Sequence, residues 1–165
     1  MGGSRAGVPS YDDGVMSADL PQHLFTAIDH VGIAVADLDE AKAFYRDTFG
    51  METMHEEVNE DQGVREAMLR VGSAGDSSAT CIQLLAPLDE TSTIAAFLER
   101  KGPGIQQIAY RVTDLEAVSA VLRERGLRLL YDVGRRGTSG SLINFVHPKD
   151  AGGVLVELVE PAGIV

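Results

Sequence analysis

The stretch Ile28-Asp29-His30-Val31-Gly32-Ile33-Ala34-Val35 returns 77 residues later as Ile105-Gln106-Gln107-Ile108-Ala109-Tyr110-Arg111-Val112, and Asp37-Leu38 falls on Asp114-Leu115 in the same register. Self-similarity at a fixed spacing marks a duplicated structural unit, and it decides the fold before any single element does. Each copy opens with the alternation of a half-buried strand and runs through an acidic turn into a helical pattern. In the first copy Asp37 and Glu40 stand at capping-box spacing, Leu38, Ala41 and Tyr45 form an apolar face, and Gly50 can end the helix. In the second, Thr113 or Asp114 caps, Leu115, Val118 and Leu122 supply the face, and Gly126 stops it.

The ends of the copies correspond too. Ile82-Gln83-Leu84-Leu85-Ala86-Pro87 resembles Val156-Glu157-Leu158-Val159-Glu160-Pro161 at an offset of 74 residues, which makes Gln83 and Glu157 equivalent. Two further strand-like runs lie between helix and last strand, at about residues 52–57 and 64–71 in the first copy and 127–132 and 141–146 in the second. Each copy is therefore a β-α-β-β-β module, and the expected fold class is α+β, with two curved sheets enclosing a metal-containing cleft. Module one spans about residues 26–88 and module two about 105–161. The linker between them, about 89–104, carries a short helix from about 92 to 101 that ends at Gly102-Pro103-Gly104. Residues 25–165 make one domain, and the Gly-, Ser-, Asp- and Pro-rich residues 1–24 are expected as a flexible leader without the features of a secretory signal.

Composition narrows the function classes. A chain of 165 residues that is 44% hydrophobic suits one folded unit, and no apolar run nears the roughly 18 residues of a membrane-spanning helix. A formal net charge of -11 argues against nucleic acid, whose phosphates need clustered Lys and Arg. The single cysteine, Cys81, lies in an apolar run, forms no internal disulfide and suits a reducing cytoplasm. No phosphate-cradling or dinucleotide fingerprint is present.

Equivalent inward positions of the two modules face each other across the cleft. The first strands supply His30 and Gln107, and the last strands supply Gln83 and Glu157. Singly, each has a bland explanation as a hydrogen-bonded strand residue or an edge charge. Together, one imidazole, one carboxylate and two amides recur at related positions on otherwise apolar strands, where an unpaired buried charge is costly. That mixed nitrogen and oxygen set suits a divalent first-row ion and leaves positions for water or substrate oxygens.

The residues also carry a family resemblance. The opening strand together with Phe44-Tyr45-Arg46-Asp47-Thr48-Phe49-Gly50, Gln62-Gly63-Val64-Arg65-Glu66, Gln83-Leu84-Leu85-Ala86-Pro87-Leu88, Ile143-Asn144-Phe145-Val146-His147-Pro148-Lys149 and Gly153-Val154-Leu155-Val156-Glu157-Leu158 resembles the methylmalonyl-CoA epimerases, of the vicinal oxygen chelate superfamily. It runs from about Thr26 to Pro161. The resemblance implies metal ligation by His30, Gln83 and Glu157, with Glu66 as second catalytic carboxylate beside Glu157. It departs at Gln106-Gln107, where the family usually has His-His. Gln107 is therefore a weaker, harder donor than imidazole.

The implied reaction removes the C2 proton of an acyl-CoA thioester and returns one on the opposite face, inverting (2R)- and (2S)-methylmalonyl-CoA through an enolate. The implied ion is Co2+, with Mn2+, Ni2+ or Zn2+ as alternatives, and the expected assembly is a homodimer. By similarity Asn144, His147 and Lys149 stand near the acyl-CoA site. Arg135 and Arg136, in a donor-rich loop, are candidates for phosphate or carboxylate contacts or, equally, a solvated turn. Two other readings stay open: a glyoxalase-type lyase acting on a glutathione adduct, and a non-catalytic small-molecule-binding module.

Overall fold

Local signals act where the sequence puts them. The Asp37 side chain accepts from the Glu40 N–H at 2.9 Å and starts α1 (Leu38–Phe49), while Asp114 accepts from the Ala117 N–H at 2.8 Å and starts α3 (Leu115–Glu124). Each cap satisfies one of the donors that a helix start leaves unpaired. Gly50, at φ 68°, then adopts a left-handed conformation at the end of α1 that a β-carbon disfavours. The linker helix α2 (Thr93–Lys101) is capped by Ser92 and ends at Gly102.

The computed structural model describes residues 22–70 and 80–163. The expected leader falls outside the described residues except at its last positions. There Gln22–Leu24 form a 3-10 turn and Leu24 packs into the core beside Val112 and Leu158.

The strands are β1 (Phe25–Ala34), β2 (Glu52–Asn59), β3 (Val64–Arg70), β4 (Cys81–Pro87), β5 (Gly104–Val112), β6 (Arg135–Arg136), β7 (Leu142–Val146) and β8 (Leu155–Glu160). They form one curled mixed sheet in the order β2-β3-β4-β1-β5-β8-β7-β6, with the modules meeting at the antiparallel β1–β5 pair. The internal pairings match residue for residue. Gly32 lies opposite Gln83 in the parallel β1–β4 pair, and Ala109 lies opposite Glu157 in the parallel β5–β8 pair. Met68 faces Gln83 as Phe145 faces Glu157, and Glu66 faces Leu85 as Ile143 faces Val159.

Alternation divides each strand between two environments. The outer face of module one packs Ala67, Leu69 and Leu84 against Leu38, Ala41 and Tyr45 of α1. The outer face of module two packs Val112, Val146 and Leu158 against Leu115, Val118 and Leu122 of α3. Burying each large apolar side chain contributes about 1.5–3 kcal/mol before entropy is counted. That leaves the inner faces free to carry polar groups.

One element differs from expectation. Residues 127–132, expected as a strand, pair with β7 only at the isolated bridge Leu129–Val146, where the Leu130 N–H donates to the Phe145 carbonyl and the His147 N–H to the Arg128 carbonyl, each at 2.8 Å; the edge strand β6 comes later, at Arg135–Arg136. At Tyr131 the pairing passes to Asn144. Its Oδ1 accepts from the Tyr131 N–H at 3.2 Å and its Nδ2 donates to the Tyr131 carbonyl at 2.9 Å, so a side chain takes the place of ladder pairing there.

Candidate active site

An open cleft runs along the inner face of the sheet, with Glu66, Gln83, Gln107 and Glu157 in its wall and apolar cover from Val64, Leu85, Ile143, Phe145 and Leu155. His30 stands directly behind, 3% exposed. Its Nε2 lies 3.0 Å from Glu157 Oε2, and the same carboxylate oxygen accepts from Gln107 Nε2 at 2.6 Å. Gln107 Nε2 is 3.2 Å from Gln83 Oε1 and 3.5 Å from His30 Nε2. Four side chains from four strands and both modules thus converge on one point, as the repeat required. Gly32 makes room for this. A β-carbon there would sit 2.5 Å from Gln107 Cγ.

Glu66 joins from β3. Its Oε2 accepts from Gln83 Nε2 at 2.9 Å and its Oε1 accepts from the Thr138 hydroxyl at 2.7 Å. The Gln83 and Gln107 amides therefore form a bridge with one carboxylate at each end. Burial pushes the Glu66 carboxyl up to about 7, the Thr138 hydrogen bond opposing, with the charges of Glu57 and Glu157 adding to the rise. A carboxyl titrating near neutrality can take and return a proton at working pH. For His30, burial alone would lower the imidazole. Hydrogen bonds to Asp29 and Glu157 overcome it and push the group up to about 9.

Behind the imidazole, His30 Nδ1 is 2.9 Å from Asp29 Oδ1, and Asp29 Oδ2 accepts from Arg111 Nε at 2.8 Å. Burial raises the Asp29 carboxyl, but the His30 and Arg111 hydrogen bonds outweigh it and hold the group below its ordinary value. Cys81, opposite His30 in the β1–β4 pair, has its thiol pushed up by burial and then by the charge of Asp29, which disfavours a nucleophilic thiolate.

The donor chemistry fits a divalent metal. Among the described residues no three His, Cys, Asp or Glu side chains gather into a metal set. The cluster has one imidazole and one carboxylate, and amides must supply the rest. Gln83 already directs Oε1 inward, and a half-turn of the Gln107 amide, whose O and N are nearly isosteric, directs its oxygen there too. One nitrogen and three oxygens then meet where hydrogen bonds now run.

The other expected site residues lie apart from this cluster. Asn144 points to the outer face and is 1% exposed; its neighbours Ile143 and Phe145 are the ones in the cleft wall. Period two puts adjacent residues on opposite faces, so Ile143 and Phe145 line the cleft while Asn144 turns away from it. His147 Nδ1 accepts from the Lys149 N–H within a 3-10 turn (Pro148–Asp150), and neither residue lines the cleft. Arg135 and Arg136 are exposed at its rim. The Arg135 guanidinium lies 4.0 Å from the centre of the Tyr131 ring, and Arg136 shares a groove with Glu57, Glu60 and Asp61, an acidic setting for a phosphate.

The structure also brings in Thr138, Asp29 and Arg111, which no repeat signal marked. Thr138 sits in a tight turn whose Ser139, at φ 54°, is the only non-glycine with positive φ among the described residues. Backbone held in that region marks a turn over-determined by its surroundings, and here it sets a hydroxyl on Glu66.

A family model for the Glyoxalase/Bleomycin resistance protein/Dioxygenase superfamily matches residues 29–145. The chain is 41% identical over 133 residues to the ethylmalonyl-CoA/methylmalonyl-CoA epimerase of Cereibacter sphaeroides, a match covering 79% of this chain and 95% of that one. It is similar to the crystal structure of methylmalonyl-CoA epimerase from Mycobacterium tuberculosis, with 59% identity, a TM-score of 0.81, and coverage of 89% of this chain and 95% of the other. A variant of Streptomyces coelicolor methylmalonyl-CoA epimerase in complex with 2-nitronate-propionyl-CoA is 49% identical with a TM-score of 0.80, over 84% of this chain and 99% of that chain. Among the described residues no helix is long and apolar enough to cross a membrane.

Proposed function

The chain belongs to the glyoxalase/bleomycin resistance protein/dioxygenase superfamily and, within it, to the methylmalonyl-CoA epimerases, and from that premise we propose that it interconverts the C2 epimers of methylmalonyl-CoA with Glu66 and Glu157 as its two bases. The observation that carries the assignment is the amide bridge with a buried carboxylate at each end: Glu66 on Gln83, Glu157 on Gln107. Inversion needs a proton taken from one face of the substrate and returned to the other, which a single base cannot do without turning the substrate over. Glu66, titrating near 7, serves as base for one epimer and acid for the other, and Glu157 takes the complementary part.

A divalent ion held by His30 Nε2, Gln83 Oε1, Gln107 Oε1 and Glu157, with Co2+ the first choice and Mn2+, Ni2+ or Zn2+ the alternatives, would draw charge from the substrate's carbonyl and carboxylate oxygens. The protein's own groups do the rest. Gln83 and Gln107 orient both carboxylates, Thr138 holds the Glu66 oxygen that Gln83 does not, and the apolar wall from Leu85 to Leu155 shields the reacting carbon from water. The acyl-CoA arm enters along the open side of the cleft. A cytoplasmic homodimer is the form in which we propose it acts, the lone Cys81 being in keeping with a reducing compartment.

The test is solvent deuterium incorporation into (2R)- and (2S)-methylmalonyl-CoA, with and without exhaustive chelation. Metal-dependent exchange at C2 with loss of optical purity is expected. Exchange that survives complete metal removal sinks the metal's part, and no exchange with any malonyl-type thioester sinks the activity.

A further inference from the structure

The β1–β5 seam shifts register once at its start, between Phe25 and Ala27, and twice near its middle. Ile28 pairs with Tyr110 but His30 with Ala109, which leaves Asp29 as an extra residue; Gly32 pairs with Gln107 but Ile33 with Ile105, which leaves Gln106 as another. Asp29 and Gln106 are 77 residues apart, so they are the same position of the two modules, and each directly precedes a residue of the converging cluster. A bulge turns a side chain that regular alternation would send to the opposite face. At Asp29 it does so, since Oδ1 reaches the Nδ1 of the very next residue at 2.9 Å.

The two bulges hold different chemistry. Behind the imidazole stands a carboxylate, itself tied to Arg111 Nε at 2.8 Å. Behind the Gln107 amide stands Gln106, whose buried Oε1 has no hydrogen-bond partner. An imidazole has a tautomer to fix and a carboxamide does not. In the neutral ring that metal ligation requires, Nδ1–H donated to a carboxylate would leave Nε2, which points into the cluster, as the lone-pair nitrogen and make it more basic.

We infer that Asp29 is a positioning residue that fixes the ring orientation and tautomer of His30 for metal ligation, and that Arg111 acts on the metal only through Asp29. The inference rests on the metal reading proposed above. Its test is the Co2+ dissociation constant, measured by chelator competition, together with the visible absorption of the bound Co2+ and the melting temperature of the metal-free protein. The proteins compared are wild type, Asp29→Ala, Asp29→Asn, Arg111→Ala and Asp29→Ala/Arg111→Ala.

Asp29→Ala is expected to weaken Co2+ binding by about 10- to 100-fold and to alter the absorption bands. Asp29→Asn, which keeps a neutral acceptor for Nδ1–H, should lose less and carries the test if the alanine variant does not fold. Arg111→Ala should lose less still, and the double variant no more than Asp29→Ala alone. If Asp29→Ala or Asp29→Asn melts lower yet binds Co2+ as tightly as wild type, Asp29 and Arg111 are only an ion pair joining the modules, and the inference is overturned. Should wild type itself bind no divalent ion, the metal reading falls and takes this inference with it.

Discussion

The two modules are the same β-α-β-β-β unit in the same strand register, yet their matched inward positions carry unlike residues. His30 stands against Gln107, Gln83 against Glu157, and Glu66 against Ile143, each pair at the related places of the two half-sheets. The outer faces show no such divergence. Leu38 and Leu115 lie under equivalent helices against Leu84 and Leu158, apolar in both copies. Symmetry was kept where the requirement is burial, which any well-packed apolar set meets, and lost where chiral chemistry needs different groups on its two sides.

The comparison breaks most severely at the carboxylates. Glu157→Gln removes a proposed base and the only carboxylate of the four-residue cluster, so activity should fall by about 10⁴-fold or more, with metal binding weakened. Glu66→Gln removes the base that Ile143 lacks in the other module. It should lose about 10²- to 10⁴-fold in epimerisation while keeping its metal, and should still exchange the C2 proton of one epimer through Glu157. Metal analysis beside stereoisomer-resolved exchange by NMR checks both. Epimerisation by Glu66→Gln at a near wild-type rate would falsify the two-base assignment.

The same position separates function from stability. In the metal-free protein the folded state holds the Glu66 proton more tightly than the unfolded chain, raising the group from 4.5 to about 7. Its contribution is therefore complete below about pH 4.5 and is lost as pH rises through about 7. At pH 8 this amounts to roughly 3 kcal/mol of strain from a buried carboxylate, at about 1.4 kcal/mol per pH unit. Glu66→Gln should gain stability over wild type progressively from pH 4.5 to 8 in urea denaturation, while its epimerisation is slowed. A constant difference across that range would mean that Glu66 is ionised at no cost.

A smaller effect sharpens the seam. Gly32 and Ala109 are equivalent, but only at Gly32 would a β-carbon meet Gln107 Cγ, at 2.5 Å. Gly32→Ala, which makes the modules more alike, should cost about 1–3 kcal/mol of stability and displace Gln107 from the cluster. Ala109→Gly, the reciprocal change, should cost about 1 kcal/mol through backbone freedom alone. Equal losses of metal affinity in the two variants would show that Gly32 is not there to make room.

Much of the site was legible because a duplication states its own geometry. Once residues 28–35 and 105–112 are aligned, His30, Gln83, Gln107 and Glu157 must meet at the seam, and they do. Glu66 came from resemblance, since periodicity alone left it as a strand charge beside Arg65. Asn144 shows that a motif in a strand does not say which face it serves: it lies on the outer face, where its amide holds the Tyr131 backbone. Asp29, Arg111 and Thr138 had no sequence signal, because two depend on a bulge and one on a strained turn.

The sequence by itself determined the modules, their caps, their apolar faces and the pairing of positions across the cleft, since these follow from local conformational preference and from periodicity repeated twice. Only the tertiary structure decided which polar atoms meet. Its curl brings Gln83 of β4 and the turn at Thr138 onto the Glu66 carboxylate of β3, and the two bulges near the middle of the seam turn Asp29 toward an imidazole and leave the Gln106 oxygen without a partner. A shift of one residue in strand register reverses which side chains face inward. Such contacts are fixed by long-range pairing, and no local pattern encodes them.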